Sequence, residues 1–241
     1  MIDLYFFPSP NGLKVAIMLE ECGLPYRIAP VNILRGEQFA PAYLRINPNN
    51  KIPAIVDHDL PGGPLPVFES GAVLLYLAEK SGRFLPQDTR GRYTALQWLF
   101  WQVAGLGPMA GQAHHFRAFA SEVVPYGIKR YTDEVNRLYG VLERQLTDRE
   151  HLAVEYSIAD MACWPWVVPH ERQGQRLEDF PNVHRWFAAM RARPGVRRAY
   201  DKGHERMADA EAYQYLYEQT ADTTDRREHE MRTPSASAKQ N

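Results

Sequence analysis

An α/β domain of order βαβαββα followed by an all-α helical bundle is the fold class the sequence predicts. Three observations predict it. Short apolar extended segments are confined to the first third of the chain, helical periods alternate with them, and from Thr89 to about Tyr217 helical patterns run without a convincing strand. With 241 residues, 45% of them apolar, the chain carries enough side chain for a core in each part.

Ile2 to Phe7 is apolar at nearly every position and reads as a strand buried on both faces, stopped by the breakers of Pro8 to Gly12. From Leu13 the period becomes helical: Val15, Met18, Leu19 and Cys22 share one side, Lys14, Glu20 and Glu21 take the other, and Gly23 ends the run. Tyr26 to Asn32 is a second strand, Gln38 to Arg45 a short helix, and Ile52 to Asp57 a third strand. Asp59 to Pro66 is a Gly/Pro-rich turn of hairpin length that leads to Val67 and Phe68, and Ser70 to Lys80 is a helix with Val73, Leu74 and Leu77 on its apolar side. Beyond Pro86, helices are expected at Arg92 to Ala104, Pro125 to Leu146, Ile158 to Arg172, Val183 to Ala192 and Val196 to Tyr217, with Pro108, Pro181 and Pro194 as breaks. These divide the chain into domains at 1–86 and 87–217. The remainder, 218–241, has almost no large apolar residue and is expected to be a disordered tail.

A net charge of -1 and a pI near 6.7 lack the footprint of a nucleic-acid binder. The two cysteines, Cys22 and Cys163, form no CxxC and are too few for a secreted disulfide framework; both fall on apolar helical faces and read as core. No apolar run approaches the length of a membrane span, and Met1 leads directly into strand-like sequence, so a cytoplasmic chain without membrane attachment is expected. His114-His115 has no partner ligand at i+3 or i+4, so no metal is expected. The aromatic group Trp98, Phe100, Trp101, Trp164 and Trp166 reads as core, with some members at the mouth of a pocket, and Arg191, Arg193, Arg197 and Arg198 as a solvated helix face.

Three constellations could carry chemistry. Pro8-Ser9-Pro10-Asn11-Gly12 joins a strand to a helix start, where free N–H groups and the dipole favour an anion such as a thiolate, and Ser9 and Asn11 can donate to sulfur. The same two residues equally suit a turn and a helix cap. In Asn49-Asn50-Lys51-Ile52-Pro53-Ala54, a cis Pro53 would turn the Ile52 backbone outward to pair with an extended peptide, whereas a trans proline would merely open a strand. In Phe68-Glu69-Ser70-Gly71, Ser70 could hold a carboxylate and Glu69 an ammonium, together an amino-acid head group, or Ser70 could be a plain cap.

The order and spacing of these three resemble the glutathione transferase superfamily, in which a thioredoxin-like domain precedes an all-helical one. Tyr156-Ser157-Ile158-Ala159-Asp160 looks like that family's capping box and hydrophobic staple. Ile2 to Gly12, Ile46 to His58, Phe68 to Gly82, Leu96 to Phe116 and Ser157 to Trp166 are similar to the bacterial Nu-class, described as disulfide-bond oxidoreductases. The resemblance implies glutathione as cosubstrate, reduced or as its disulfide. It places Ser9 and Asn11 on the glutathione sulfur as catalytic residues, Gln38, Lys51, Ile52 and Pro53 on the peptide, Glu69 and Ser70 on the γ-glutamyl end, and Arg130 across a homodimer interface. Ser9 stands where that class commonly has threonine and keeps the hydroxyl. No activating tyrosine follows the first strand, and no cysteine lies in the Ser9 to Gly12 loop. The expected activity is therefore reduction of a small-molecule or protein disulfide by two bound glutathione thiols. A conventional transferase that conjugates electrophiles, with weak peroxidase activity, is the first alternative; a non-enzymatic binding protein on the same fold is the second.

Overall fold

The computed structural model of the protein describes residues 1–205. The expected end of the last helix, to Tyr217, and the expected tail, 218–241, lie outside the described residues.

Four strands form one mixed sheet in the order β2-β1-β3-β4. β1 (Ile2–Phe6) pairs in parallel with β2 (Tyr26–Pro30) and antiparallel with β3 (Ala54–Asp57), which pairs antiparallel with β4 (Leu65–Phe68). The order of elements is the predicted one: α1 (Pro10–Cys22) links β1 to β2, a 3-10 turn at Glu37–Phe39 and α2 (Pro41–Leu44) link β2 to β3, and α3 (Ser70–Ser81) follows β4. The register brings Phe6 beside Pro30, Tyr5 beside Ala54 and Ala54 beside Phe68. The ends of β1, β2 and β4 and the start of β3 therefore lie along one edge of the sheet. Every candidate residue of the N-terminal half leaves the sheet from that edge.

The helical half comprises α4 (Thr89–Trp101), α5 (Gly107–His114), α6 (Pro125–Gln145), α7 (Ile158–Val167), α8 (Pro181–Ala192) and α9 (Pro194–Glu205). Helix α7 starts on the expected capping box, with Asp160 reaching back to the Ser157 N–H and the Ser157 hydroxyl accepting from Ala159. It stops at Val167, short of the expected Arg172, because Pro169 supplies no N–H and restricts the residue before it. The opposite error occurs at Pro108, read from sequence as a break. There α4 continues through a π-helical segment, Gln102–Leu106, into α5, and the Gly107 N–H bonds to the Gln102 carbonyl five residues back. Slipping the ladder by one residue carries the helical path past Pro108, which supplies no N–H to the ladder.

One apolar core runs through both halves, from Leu4 and Ile55 in the sheet through Val15 and Leu19 to Leu138, Met161 and Trp186. Helix α1 lies at its centre, packed against α3, α7 and α9. The sequence assigned Lys14, Glu20 and Glu21 to a polar side, but Lys14 is 1% exposed and Glu20 is 9% exposed. A two-layer α/β domain alone would leave that side in water; here the helical half covers it. Glu21 accepts both guanidinium hydrogen bonds of Arg193, at 2.8 and 3.0 Å, and Glu20 accepts from Arg198 at 2.8 Å. The basic run is thus solvated only in part: Arg193, at the α8–α9 junction, and Arg198, on α9, tie this part of the helical half to α1.

Candidate functional site

At the end of β1 the chain makes a tight turn in which the Ser9 N–H bonds to the Phe7 carbonyl at 2.7 Å, and α1 begins. Ser9 caps the helix in extended conformation, accepting the Gly12 N–H on its hydroxyl oxygen at 3.2 Å, and Pro10 opens the first turn with its fixed φ. A side chain at Gly12 would lie 2.2 Å from the Phe7 carbonyl oxygen, so only glycine lets the helix start this close to the strand. The cap and the chemistry are compatible. An oxygen that accepts from Gly12 still has its own proton to donate outward.

Asn11 is held from the helical half. The Trp166 indole N–H, on α7, donates to Asn11 Oδ1 at 2.9 Å. An indole can only donate, so this contact fixes which end of the Asn11 amide is oxygen and leaves its two N–H groups uncommitted to any described residue. With the positive end of α1 beside them, a hydroxyl and an amide that both donate are suited to a thiolate.

The second candidate segment lies at the same edge. The Ile52-Pro53 peptide bond is cis. The Lys51 carbonyl is committed inward, accepting from Tyr43 at 2.5 Å and Asn47 at 2.6 Å, while the Ile52 N–H and carbonyl bond to no described residue. An extended peptide could pair there as an added strand. Gln38, in the 3-10 turn, donates to the Ile33 carbonyl at 3.4 Å and leaves its side-chain oxygen buried without a partner.

The third segment joins the other two. Glu69, the N-cap of α3, holds φ at 68°, a region that a residue other than glycine enters at a cost, as residues at binding sites often do. Asn49 donates to Glu69 at 3.5 Å, connecting α3 to the Pro53 segment, and Ser70 accepts from Lys14 at 3.3 Å, connecting it to α1. Sequence reading missed Lys14. Its signal was its place three residues after Asn11, which puts both on neighbouring positions of one helix face.

Both cysteines stand apart from this edge. Cys163 is completely buried in α7, and burial raises its thiol pKa well above the usual value. Cys22 is at the far end of α1, roughly 20 Å along the helix from Ser9 at about 1.5 Å per residue. Burial raises it too, against a contact from the Ser81 hydroxyl. Arg130 is separate from the other candidates, lining an open groove of about 710 Å³ on α6 with Met109, Tyr126 and Glu134. His114 and His115 pack against Phe119 and Phe116.

Comparison with known proteins decides the family. The glutathione S-transferase N-terminal domain matches residues 8–80, and the glutathione S-transferase C-terminal domain matches residues 108–194. The disulfide-bond oxidoreductase YfcG of Escherichia coli strain K12 is 55% identical over 202 residues, taking in 83% of this chain and 94% of that protein. The chain belongs to the glutathione S-transferase family. Among solved glutathione transferases, one from Pseudomonas putida, with one glutathione disulfide bound per subunit, superposes with a TM-score of 0.79 at 47% identity, over 82% of this chain and 90% of that one. Another, from Burkholderia graminis, with two glutathione molecules bound per subunit, gives 0.79 at 48% identity, over 83% and 87%. The thioredoxin-like sheet with its helical partner, expected from sequence, is the glutathione transferase fold.

Proposed function

We propose that the chain reduces disulfides with glutathione, both reacting thiols being supplied by glutathione. The observation that carries this reading is the contrast at the two ends of α1. Ser9 and Asn11 offer free donors at the positive end, while Cys22 at the other end is half-buried and Cys163, on α7, is fully buried, both with a thiol pKa raised by burial. Relatives crystallised with two glutathione molecules or with one glutathione disulfide support it.

In this reading a glutathione thiolate held by Ser9 and Asn11 attacks one sulfur of the substrate disulfide. The substrate S–S bond breaks, a glutathionyl mixed disulfide forms, and the first substrate sulfur leaves as a thiolate that takes a proton from water. A second glutathione thiolate attacks the glutathionyl sulfur, the mixed disulfide breaks, the second substrate thiol leaves, and glutathione disulfide remains. Two glutathiones are oxidised by one bond and one substrate disulfide is reduced. Gln38, Lys51, Ile52 and Pro53 hold the peptide and Glu69 and Ser70 the γ-glutamyl end. Arg130 reaches the site of a second subunit; exposed Phe68 and Phe100 give a homodimer apolar surface to cover. The domain division at 86/87 belongs to the same reading. Among the described residues no helix is long and apolar enough to cross a membrane, which is compatible with a cytoplasmic enzyme.

Replacing Ser9 and Asn11 together by Ala is expected to lower glutathione-dependent disulfide reduction by about a hundredfold or more with the thermal midpoint nearly unchanged. Wild-type turnover in that variant contradicts the reading. A conjugation assay run beside it, with calorimetric stoichiometry, distinguishes two glutathiones per subunit from the single one of a conjugating transferase; a folded protein with no turnover in either assay points to a binding protein.

A further inference from the structure

We propose that Lys14 is a positioning residue for the α-carboxylate of the γ-glutamyl group, acting from beneath the site through Ser70 and Gln102. This rests on the reading that Ser70 holds that carboxylate. Lys14 leaves α1 into the seam between the two halves, 1% exposed, and its ammonium reaches two oxygens. It donates to the Gln102 side-chain oxygen at 2.5 Å and to the Ser70 hydroxyl oxygen at 3.3 Å.

The direction of these bonds matters. In its protonated form Lys14 has donors and no acceptor, so in that form the Ser70 oxygen must be the acceptor and its own proton is turned away from Lys14. Ser70 opens α3, where its N–H has no intrahelical partner. A hydroxyl proton and a free N–H on one residue, backed by a cation in a low-dielectric seam, form a seat for a carboxylate. Gln102 adds an independent sign that the cluster is incomplete. It is completely buried, its oxygen is used by Lys14, and its side-chain nitrogen has no hydrogen-bond partner. Gln102 lies in the π-helical segment, the irregularity that carries the chain past Pro108, so the distorted helix brings an amide to the lysine.

A lone buried ammonium is costly, and burial lowers the Lys14 pKa to about 7, opposed by Cys163 on α7 and by Glu69. The groups facing it are therefore Glu69 and Ser70 at the start of α3, Gln102 in the π segment, and Cys163 on α7 with Asp160 beyond it. Asp160 is itself bound to Leu152, Ser157 and Trp186 and is not available as a counter-ion. The arriving carboxylate is the missing counter-charge. It raises the lysine pKa, so binding takes up a proton, and affinity falls as pH rises above the value in the free protein.

The test compares two probes whose sulfur cannot ionise: S-methylglutathione, and its analogue in which γ-aminobutyrate replaces the γ-glutamyl residue and the α-carboxylate is gone. Lys14→Met is expected to bind S-methylglutathione about tenfold or more weakly than wild type and to bind the decarboxylated analogue as wild type does. Equal loss for both probes, or loss for neither, overturns the proposal. If wild type binds both probes equally and Ser70→Ala changes nothing, the assignment of Ser70 to the carboxylate falls first, and the proposal with it. Should Lys14→Met fail to fold, calorimetry of wild type in buffers of different ionisation enthalpy, about half a pH unit above 7, still decides. Fractional proton uptake with S-methylglutathione and none with the analogue is expected, and equal uptake overturns it.

Discussion

At the scale of single residues, the site depends on which way a few polar groups point. Trp166 has one hydrogen to give and gives it to Asn11, so it sets which way the amide points, and in the proposed reading orients it toward the glutathione sulfur without touching sulfur itself. Trp166→Phe keeps an aromatic ring, smaller than the indole, and removes the donor. It is expected to lower kcat for disulfide reduction about three- to tenfold and to raise the pKa of bound glutathione, read from the pH dependence of thiolate absorbance, with little change in thermal midpoint. An unchanged pH profile contradicts the role given to Trp166. Ser9 and Asn11 were legible in sequence as residue types at a strand-to-helix turn, yet local sequence could not separate cap from ligand. The structure removes that opposition, since Ser9 caps with its oxygen and keeps its proton. Lys14 was not legible, because a lysine on the polar side of an amphipathic helix reads as solvated until the partner that buries it is known.

At the scale of elements, the order βαβαββα was readable because the hydrophobic period changes abruptly at Pro8, Gly23, Asn47 and Pro86. The helix after Pro108 was not, since proline signals a break in a regular helix and the chain answers with a π segment. The link between β3 and α3 is an ion pair that no periodicity reveals. Asp57, at the end of β3, is fully buried, and burial pushes its carboxyl up. The Lys80 ammonium at 2.7 Å, the Tyr76 hydroxyl at 2.5 Å and the Asp59 N–H at 3.0 Å outweigh burial and hold it at about 2. A carboxyl whose folded pKa lies below its unfolded one stabilises the fold above about pH 4, and that contribution disappears as pH falls through about 2. About 2 kcal/mol should be lost over that interval. Urea unfolding at stepped pH checks it, and Lys80→Met should flatten the dependence; an identical pH profile in the variant would sink the assignment.

At the scale of the whole molecule, the two halves act as one body through α1. Its apolar side packs on the sheet, and its acidic side is fastened to α9 by Glu20 with Arg198 and Lys202 and to the α8–α9 junction by Glu21 with Arg193, whose guanidinium stacks 3.5 Å above the Tyr156 ring. The helix that presents Ser9 and Asn11 is thereby held from both sides, which a site needing fixed donors requires. Glu21→Gln should cost about 1–3 kcal/mol in denaturant unfolding, since it leaves a half-buried guanidinium without its carboxylate. A change below a few tenths of a kcal/mol would show the latch to be incidental.

In the proposed mechanism the protein lends glutathione a seat and contributes no redox thiol of its own. The most direct measurement is glutathione-dependent reduction of a simple dialkyl disulfide by the Cys22→Ala/Cys163→Ala double variant, with folding confirmed by its thermal midpoint. Turnover within about twofold of wild type is predicted, since Cys163 is fully buried, Cys22 is half-buried at the far end of α1, and burial raises both thiol pKa values. Loss of turnover in a folded double variant would contradict the account.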